Sequence, residues 1–369
     1  MKVLTVVGTR PEVIRLSRVI PRLAESFTHV LVHTGQNWDY RLNGIFFDEM
    51  GLRAPDHVLE VETSSLGAVL GDTLRKTEAV LQLEKPDAFL VLGDTNSSIA
   101  AVIAKRMHIP VYHMEAGNRS FDQNVPEETN RRLVDHVADF NLVYTEHARR
   151  NLLAEGLHPR RVMLTGSPMR EVLDHYRAQI EASDVLTRLG LERKAYFLVS
   201  AHREENVDPP QRLQALLDCL IAVRERWSEP VVVSTHPRTR QRLESLKSSG
   251  DLTSITFSEP FGFHDYNRLQ MNAHCVLSDS GTISEEASIL KFPAVTLRSS
   301  IERPEALDSG SIIMTDLRPE SVLAGIEAAC ADHLFTASPE AYRVEDCSVR
   351  VRNFILSTAF EHSFWSGLR

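Results

Sequence analysis

Short apolar runs alternate along the whole chain with stretches whose apolar positions recur at helical spacing. In the first half Lys2 to Val7, Val30 to His33, Ala88 to Leu92, Ile109 to Tyr112, Asn141 to Tyr144 and Val162 to Thr165 read as strands. In the second half Ala195 to Ala201, Val231 to Thr235, Val276-Leu277, Ala294 to Leu297 and Ile312 to Thr315 do the same. The first helix is expected from Pro11 to about Ala24, with Val13, Ile14, Leu16, Val19, Ile20 and Leu23 on its apolar stripe. Further helices are expected around Phe46, from Leu66 to Leu83, Ile99 to Met107, from Pro126, Glu146 to Glu155, Leu213 to Trp227, at Glu285-Glu286, near Pro319 to Cys330 and from Pro339 to His362. Apolar strands alternating with helices imply parallel sheets with right-handed crossovers. The predicted class is α/β, with two Rossmann-like parallel-sheet domains. The borders expected are 1–167, 168–345 and a C-terminal helical segment, 346–369, packing back toward the N-terminal domain. No long linker occurs, so the two domains are expected to face each other across a cleft.

Composition narrows the class of protein. The chain has 369 residues, 43% hydrophobic and 25% charged, as expected of a soluble globular protein of two domains. Its formal net charge of −9 argues against nucleic acid or an anionic membrane surface as the main partner. Cys219, Cys275, Cys330 and Cys347 have no CxxC spacing and read as reduced thiols of a cytoplasmic protein. The first residues read as a strand rather than a signal peptide, and no apolar run is long enough to span a membrane.

The polar residues of interest fall where strands end. Arg10, Asp94 and Glu115 close strands of the first half, and His202, His236, Ser280 and Arg303 close strands of the second. Ligands of open α/β sheets bind at such strand ends. Glu115 is followed by Ala116-Gly117, and Pro126 then opens a helix whose first turn carries Glu127 and Glu128. Asp94, Glu115, Glu127 and His202, gathered in one cleft, form a dense group of proton-transfer side chains whose crowding would suit general acid–base work. Each also has a plain structural reading, as a turn or helix-start residue or a core histidine. Ser280-Gly281-Thr282 before a helix suits a phosphate, with Arg10 and Arg303 as guanidinium partners, although the same tripeptide is also an ordinary helix cap. Phe261 lies in a Phe-Gly-Phe loop that could wall a planar base or simply pack. There is no GxGxxG after the first strand, no GxxxxGK[ST], no GxSxG and no cluster with metal-ligand spacing.

A set of motifs in fixed order adds a resemblance. They are Gly8-Thr9-Arg10-Pro11-Glu12, Gly93-Asp94-Thr95, Glu115-Ala116-Gly117, Pro126-Glu127-Glu128-Thr129-Asn130-Arg131, His202-Arg203-Glu204, Asp279-Ser280-Gly281 with Glu285-Glu286, and Glu302-Arg303-Pro304-Glu305. In these the chain resembles the non-hydrolysing UDP-N-acetylglucosamine 2-epimerases over nearly its whole length. The resemblance implies a GT-B-like fold, UDP held mainly by the C-terminal domain, a homodimer and no redox cofactor. Some positions depart from the family pattern: Gly117-Asn118-Arg119-Ser120, Gly281-Thr282, and Arg15 where the family carries Lys. The segments 34–40, 118–122, 234–240 and 260–266 look instead like the branch that epimerises UDP-2-acetamido-2,6-dideoxy-L-hexoses, which makes UDP-N-acetyl-L-fucosamine from the L-talo isomer for capsule or O-antigen; a related subgroup converts the L-rhamno to the L-quinovo isomer.

The chemistry implied by the resemblance is epimerisation at C2 by elimination and re-addition of UDP. Asp94, Glu115, Glu127 and His202 then line the reacting sugar, with Glu115 and Asp94 as the proton-transfer pair. Arg10, Arg131, His236, Phe261, Ser280, Gly281, Thr282, Glu286 and Arg303 hold the UDP-sugar, Glu286 through the ribose hydroxyls. The alternatives are a UDP-GlcNAc/UDP-ManNAc epimerase, a GT-B glycosyltransferase, a hydrolysing epimerase and a non-catalytic nucleotide-sugar binder.

Overall fold

Seven strands form the first sheet: β1 (Lys2–Val7), β2 (Thr28–His33), β3 (His57–Val58), β4 (Ala88–Leu92), β5 (Val111–Met114), β6 (Phe140–Val143) and β7 (Val162–Leu164). Six form the second: β8 (Phe197–Ser200), β9 (Val231–Ser234), β10 (Ile255–Ser258), β11 (Cys275–Ser278), β12 (Ala294–Leu297) and β13 (Ile313–Thr315). The computed structural model describes residues 1–35, 45–122, 124–245, 255–332 and 337–368. Most of the 34–40 segment and the start of the helix expected around Phe46 lie outside them. The chain divides into two units, Met1–Asp174 with Arg343–Arg369, and His175–Tyr342.

The first sheet has the order β3-β2-β1-β4-β5-β6-β7 and the second β10-β9-β8-β11-β12-β13. Every strand pair is parallel. The class expected from the hydrophobic pattern is the one found. Each order reverses at one place, between β1 and β4 and between β8 and β11. Diverging crossovers leave a crevice there at the carboxyl ends of the strands. The strands are apolar on both faces because helices cover both: Leu4, Val6, Phe89, Val91 and Val111 share a core in the first unit, and Phe197, Val199, Val233, Leu277 and Val295 in the second.

Several expected elements differ in detail. The helix expected from Ile99 to Met107 is a 3-10 turn, Asn96–Ala100, followed by a helix, Ala101–Arg106, and the loop expected at 261–266 runs into a helix, Phe263–Asn272. The single first helix is two, Arg10–Leu16 and Val19–Ser26. Pro21 falls in the first turn of the second, where its missing N–H is tolerated, and its ring excludes a continuous helix through Ser17. β5 begins at Val111 because Pro110 has no N–H to pair; its carbonyl still accepts from Phe89 at 2.9 Å. The C-terminal stretch is a 3-10 turn (Glu340–Arg343) and two helices, Cys347–Thr358 and His362–Trp365. The helix Cys347–Thr358 packs on the first sheet: Phe354 lies edge-on to Phe140 at 5.4 Å, and the Tyr112 hydroxyl meets Thr358 Oγ1 at 2.7 Å. Among the described residues no helix is long and apolar enough to cross a membrane.

Candidate active site

In the first unit the polar residues at the strand ends form one network around Arg131. Gly93, at φ 74°, turns the chain after β4 and presents Asp94. Glu115 follows β5 with φ 61°, in the left-handed region that a residue with a Cβ enters at a cost of about 1–3 kcal/mol. The helix Pro126–Val137 supplies Arg131, 2% exposed, whose Nη1 donates to the Glu115 carbonyl at 2.7 Å. Its Nη2 binds the Asp94 carboxylate and lies 3.6 Å from Glu115 Oε1. Asn130 of the same helix donates to the Asp94 carbonyl at 3.0 Å. Arg15, from the helix Arg10–Leu16, binds the other oxygen of Glu115. Asp94 and Glu115 are therefore brought together, with guanidinium groups interleaved between them rather than carboxylate crowded on carboxylate.

Surrounding groups fix this network from behind. Glu12 accepts from the backbone N–H of Gly8 at 3.0 Å and Thr9 at 2.7 Å and from the Ser97 hydroxyl, joining the ends of β1 and β4. Burial pushes its carboxyl above the ordinary range, against these hydrogen bonds. Asp135, fully buried, accepts the Gly117 N–H at 3.2 Å and the Arg119 guanidinium at 2.7 Å, and lies 2.9 Å from His113 Nδ1. His113 Nε2 meets the Gly93 carbonyl at 2.7 Å, so the turns carrying Asp94 and Glu115 share a strut. Glu128 is buried against the Ser120 N–H (2.9 Å) and Arg132 (2.9 Å), while Glu127 is exposed in the first helical turn. Arg10 is half-buried with its guanidinium carbon 5.1 Å from the centre of the Phe46 ring.

In the second unit the organiser is Asp279, at the end of β11 and fully buried. Its carboxylate accepts the backbone N–H groups of His202 and Arg203, each at 3.1 Å, and Asn206 Nδ2 at 3.1 Å. The His202 imidazole exposes 40% of its side chain, with Nδ1 3.4 Å from the same carboxylate. A carboxylate beside Nδ1 favours the tautomer protonated there and leaves Nε2 to act outward. Ser280-Gly281-Thr282 follow directly: Ser280 Oγ accepts the Thr282 N–H at 3.3 Å and meets Thr282 Oγ1 at 3.0 Å. The helix Ile283–Leu290 has Thr282 as N-cap without a side-chain cap bond, so its N-terminal dipole opens on this turn. A Cβ on Gly281 would meet only Arg203 Nη2, at 3.7 Å, so the backbone there is open to close approach.

The remaining expected residues of this unit lie apart in character. His236 is exposed after β9, and Phe261 is half-buried, while its neighbour Phe263 is buried edge-on to Tyr176 at 5.9 Å and belongs to the packing. Glu286 is buried and accepts from Gln270 Nε2 at 2.7 Å. Arg303 exposes 4% of its side chain and lies with Nη1 3.3 Å from Glu285 Oε2. Beside it burial pushes the Glu305 carboxyl above its usual range, and the Tyr342 hydroxyl donates to it at 2.5 Å. Sequence reasoning placed neither Arg15, Asp135 nor Asp279 among the site residues. Asp279 had a signal, an acidic residue at a strand end directly before the small-residue turn.

Comparisons with known proteins identify the family and the fold. A family model described as UDP-N-acetylglucosamine 2-epimerase matches residues 22–356. The fold is similar to the UDP-N-acetylglucosamine 2-epimerase of Rickettsia bellii, at 44% identity and a TM-score of 0.92 over 98% of both chains. It is similar also to the UDP-GlcNAc 2-epimerase of Methanocaldococcus jannaschii in complex with UDP-GlcNAc and UDP, at 33% identity and a TM-score of 0.90 over 97% of this chain and 100% of that one. A UDP-2,3-diacetamido-2,3-dideoxy-D-glucuronate 2-epimerase of Pseudomonas aeruginosa is 35% identical over 320 residues, 85% of this chain and 88% of that protein. The chain belongs to the UDP-N-acetylglucosamine 2-epimerase family and is an isomerase of that family.

Proposed function

We propose that the protein interconverts the C2 epimers of a UDP-2-acetamido-2-deoxy sugar by eliminating and re-adding UDP. The observation that carries this reading is the pairing of Asp94 and Glu115 through Arg131 at the ends of β4 and β5, beside the switch point of the first sheet. The C2–H of the sugar is not acidic, having no adjacent carbonyl. Elimination avoids the difficulty: a carboxylate removes the C2 proton, the C–H electrons form the C1–C2 double bond, and the C1–O bond breaks with its electrons on the leaving UDP. Re-addition of UDP to the 2-acetamidoglycal with protonation from the opposite face gives the epimer. Glu115 and Asp94 act as the proton-transfer pair, Glu127 supports them, and His202 neutralises or protonates the departing diphosphate. The turn Ser280–Thr282 receives phosphate, with Arg10, Arg131, His236, Phe261, Glu286 and Arg303 as further substrate contacts.

For the sugar itself we propose the UDP-2-acetamido-2,6-dideoxy-L-talose and UDP-N-acetyl-L-fucosamine pair, in the service of capsule or O-antigen synthesis. The support is the residue pattern of segments 34–40, 118–122, 234–240 and 260–266. The second reading, UDP-GlcNAc and UDP-ManNAc, is favoured by the names of the relatives. Incubating each candidate UDP-sugar in D₂O and following C2 by NMR tests both. Deuterium at C2 with UDP-sugar recovered is expected for the true substrate, and free sugar or no exchange with any member of the panel refutes the epimerase reading. The working form proposed is a cytoplasmic homodimer, which light scattering in solution checks.

A further inference from the structure

At the opposite end of the first sheet from Asp94 and Glu115, a cavity of about 270 Å³ opens where β6 and β7 begin. Asp139 and Phe140 lead into β6, and Arg160 and Arg161 into β7. Lys105 and the C-terminal His362 and Trp365 complete the wall. Its one lining carboxylate, Asp139, is already shared by Lys105 and by His362 Nε2 at 2.8 Å. Glu155, beside the lining His136, is taken by a bidentate pair with Arg119 at 2.7 and 2.8 Å. Arg160 and Arg161 have no carboxylate partner among the described residues. Arg161 uses Nε and Nη2 on the carbonyls of His136, Ala138 and Asp139, which spreads part of its charge onto a helix end but leaves Nη1 unused. Arg160 is exposed and holds its guanidinium 5.2 Å from the centre of the Trp365 ring. His362, 2% exposed, has no partner for Nδ1. A buried nitrogen left unpaired is costly; with Nε2 donating to Asp139, Nδ1 accepts from a ligand O–H when the ring is neutral and donates to an anionic oxygen when the ring is an imidazolium.

We propose that this cavity is a second binding site, for the phosphate of a small phosphomonoester with an apolar body. Two guanidinium groups without carboxylates match a dianionic phosphate in charge and in fork geometry. Trp365 and Phe140 give the apolar part a wall. Among the described residues the cavity meets the groups behind the strand-end network only through His136 and Glu155, which Arg119 holds, so the site stands whether or not the proposed reaction is correct.

Calorimetric titration of the full-length protein with phenyl phosphate and with inorganic phosphate, each in the presence of saturating UDP, tests the proposal. Phenyl phosphate is expected to bind saturably despite the UDP, about ten-fold more tightly than inorganic phosphate. Arg160→Ala, an exposed position whose loss leaves the fold intact, is expected to weaken it by about ten-fold or more. Quenching of Trp365 should accompany binding and vanish in Trp365→Phe. No saturable binding, displacement by UDP, equal affinity for the two phosphates, or an unchanged affinity in Arg160→Ala each overturns the proposal.

Discussion

The guanidinium of Arg15 binds the carboxylate of Glu115, joining the first helix to the end of β5 across 100 residues of sequence. Both side chains are buried, 7% and 5% exposed, so water does not screen the pair. Removing one partner of a buried pair typically costs about 3–5 kcal/mol, because the other is left desolvated. Arg15→Met is therefore expected to lower stability by about 3 kcal/mol and to slow turnover by releasing Glu115 from its orientation. Arg15→Lys keeps the charge but loses the fork, so it should fall between the two. Glu115→Gln should cut kcat by about 10²-fold or more with UDP affinity unchanged. Urea unfolding, kcat and UDP calorimetry read these effects, and normal turnover of Glu115→Gln removes it from the reaction.

Gly117 shows how narrowly the turn after Glu115 is built. Its φ is 80°, and a Cβ there would lie 2.4 Å from the Ala148 carbonyl oxygen. Both the dihedral and the contact with backbone oppose a side chain, and neither relaxes without moving the helix Glu146–Ala154. Gly117→Ala is expected to destabilise the protein by about 2–4 kcal/mol and to reduce kcat, since the same turn sets Glu115. Thermal unfolding and steady-state kinetics check it.

The legible part of this chain is the part that local chemistry decides. Apolar strands between amphipathic helices gave the two parallel sheets, and strand ends could be read from where polar residues begin. The expected helix and strand overran Pro21 and Pro110, whose missing N–H groups account for the helix break and the late start of β5. What could not be read are the pairings between distant segments: Arg15 with Glu115, Asp135 with Gly117 and Arg119, Asp279 with the His202 turn. Each joins residues whose separation says nothing about their contact until the sheet order is known.

Glu155 supplies a pH dependence. The bidentate Arg119 pair, first among its partners, holds its carboxyl down from 4.5 to about 2. A carboxylate whose folded value is depressed adds stability above its unfolded value and loses it as pH falls through the folded one. The stabilisation is therefore complete above pH 4.5 and fades toward about pH 2. The group is partly open to water, which limits its worth to about 1 kcal/mol. Glu155→Gln should be less stable than the parent at neutral pH by that amount, with the gap closing across this acid window. Urea unfolding over a pH series measures the gap; a constant difference would falsify the assignment to ionisation.

Asp279 and His202 are expected to act as one unit. Asp279 takes the backbone N–H of His202 at 3.1 Å and faces its Nδ1 at 3.4 Å, so it both shapes the turn and orients the imidazole. In Asp279→Asn an amide N–H₂ or a neutral oxygen replaces an acceptor that serves three donors, and the imidazole loses its anionic partner. His202→Gln removes the imidazole and keeps a polar side chain of similar reach. If His202 works only as Asp279 holds it, each single change should lower kcat by about ten- to a hundred-fold, and the double variant should be no slower than His202→Gln alone. Losses that multiply in the double variant show instead that Asp279 serves the turn and the phosphate cradle independently of the imidazole. Stability measured by urea on the same three variants separates the two roles, because only the Asp279 change removes the backbone hydrogen bonds of His202 and Arg203.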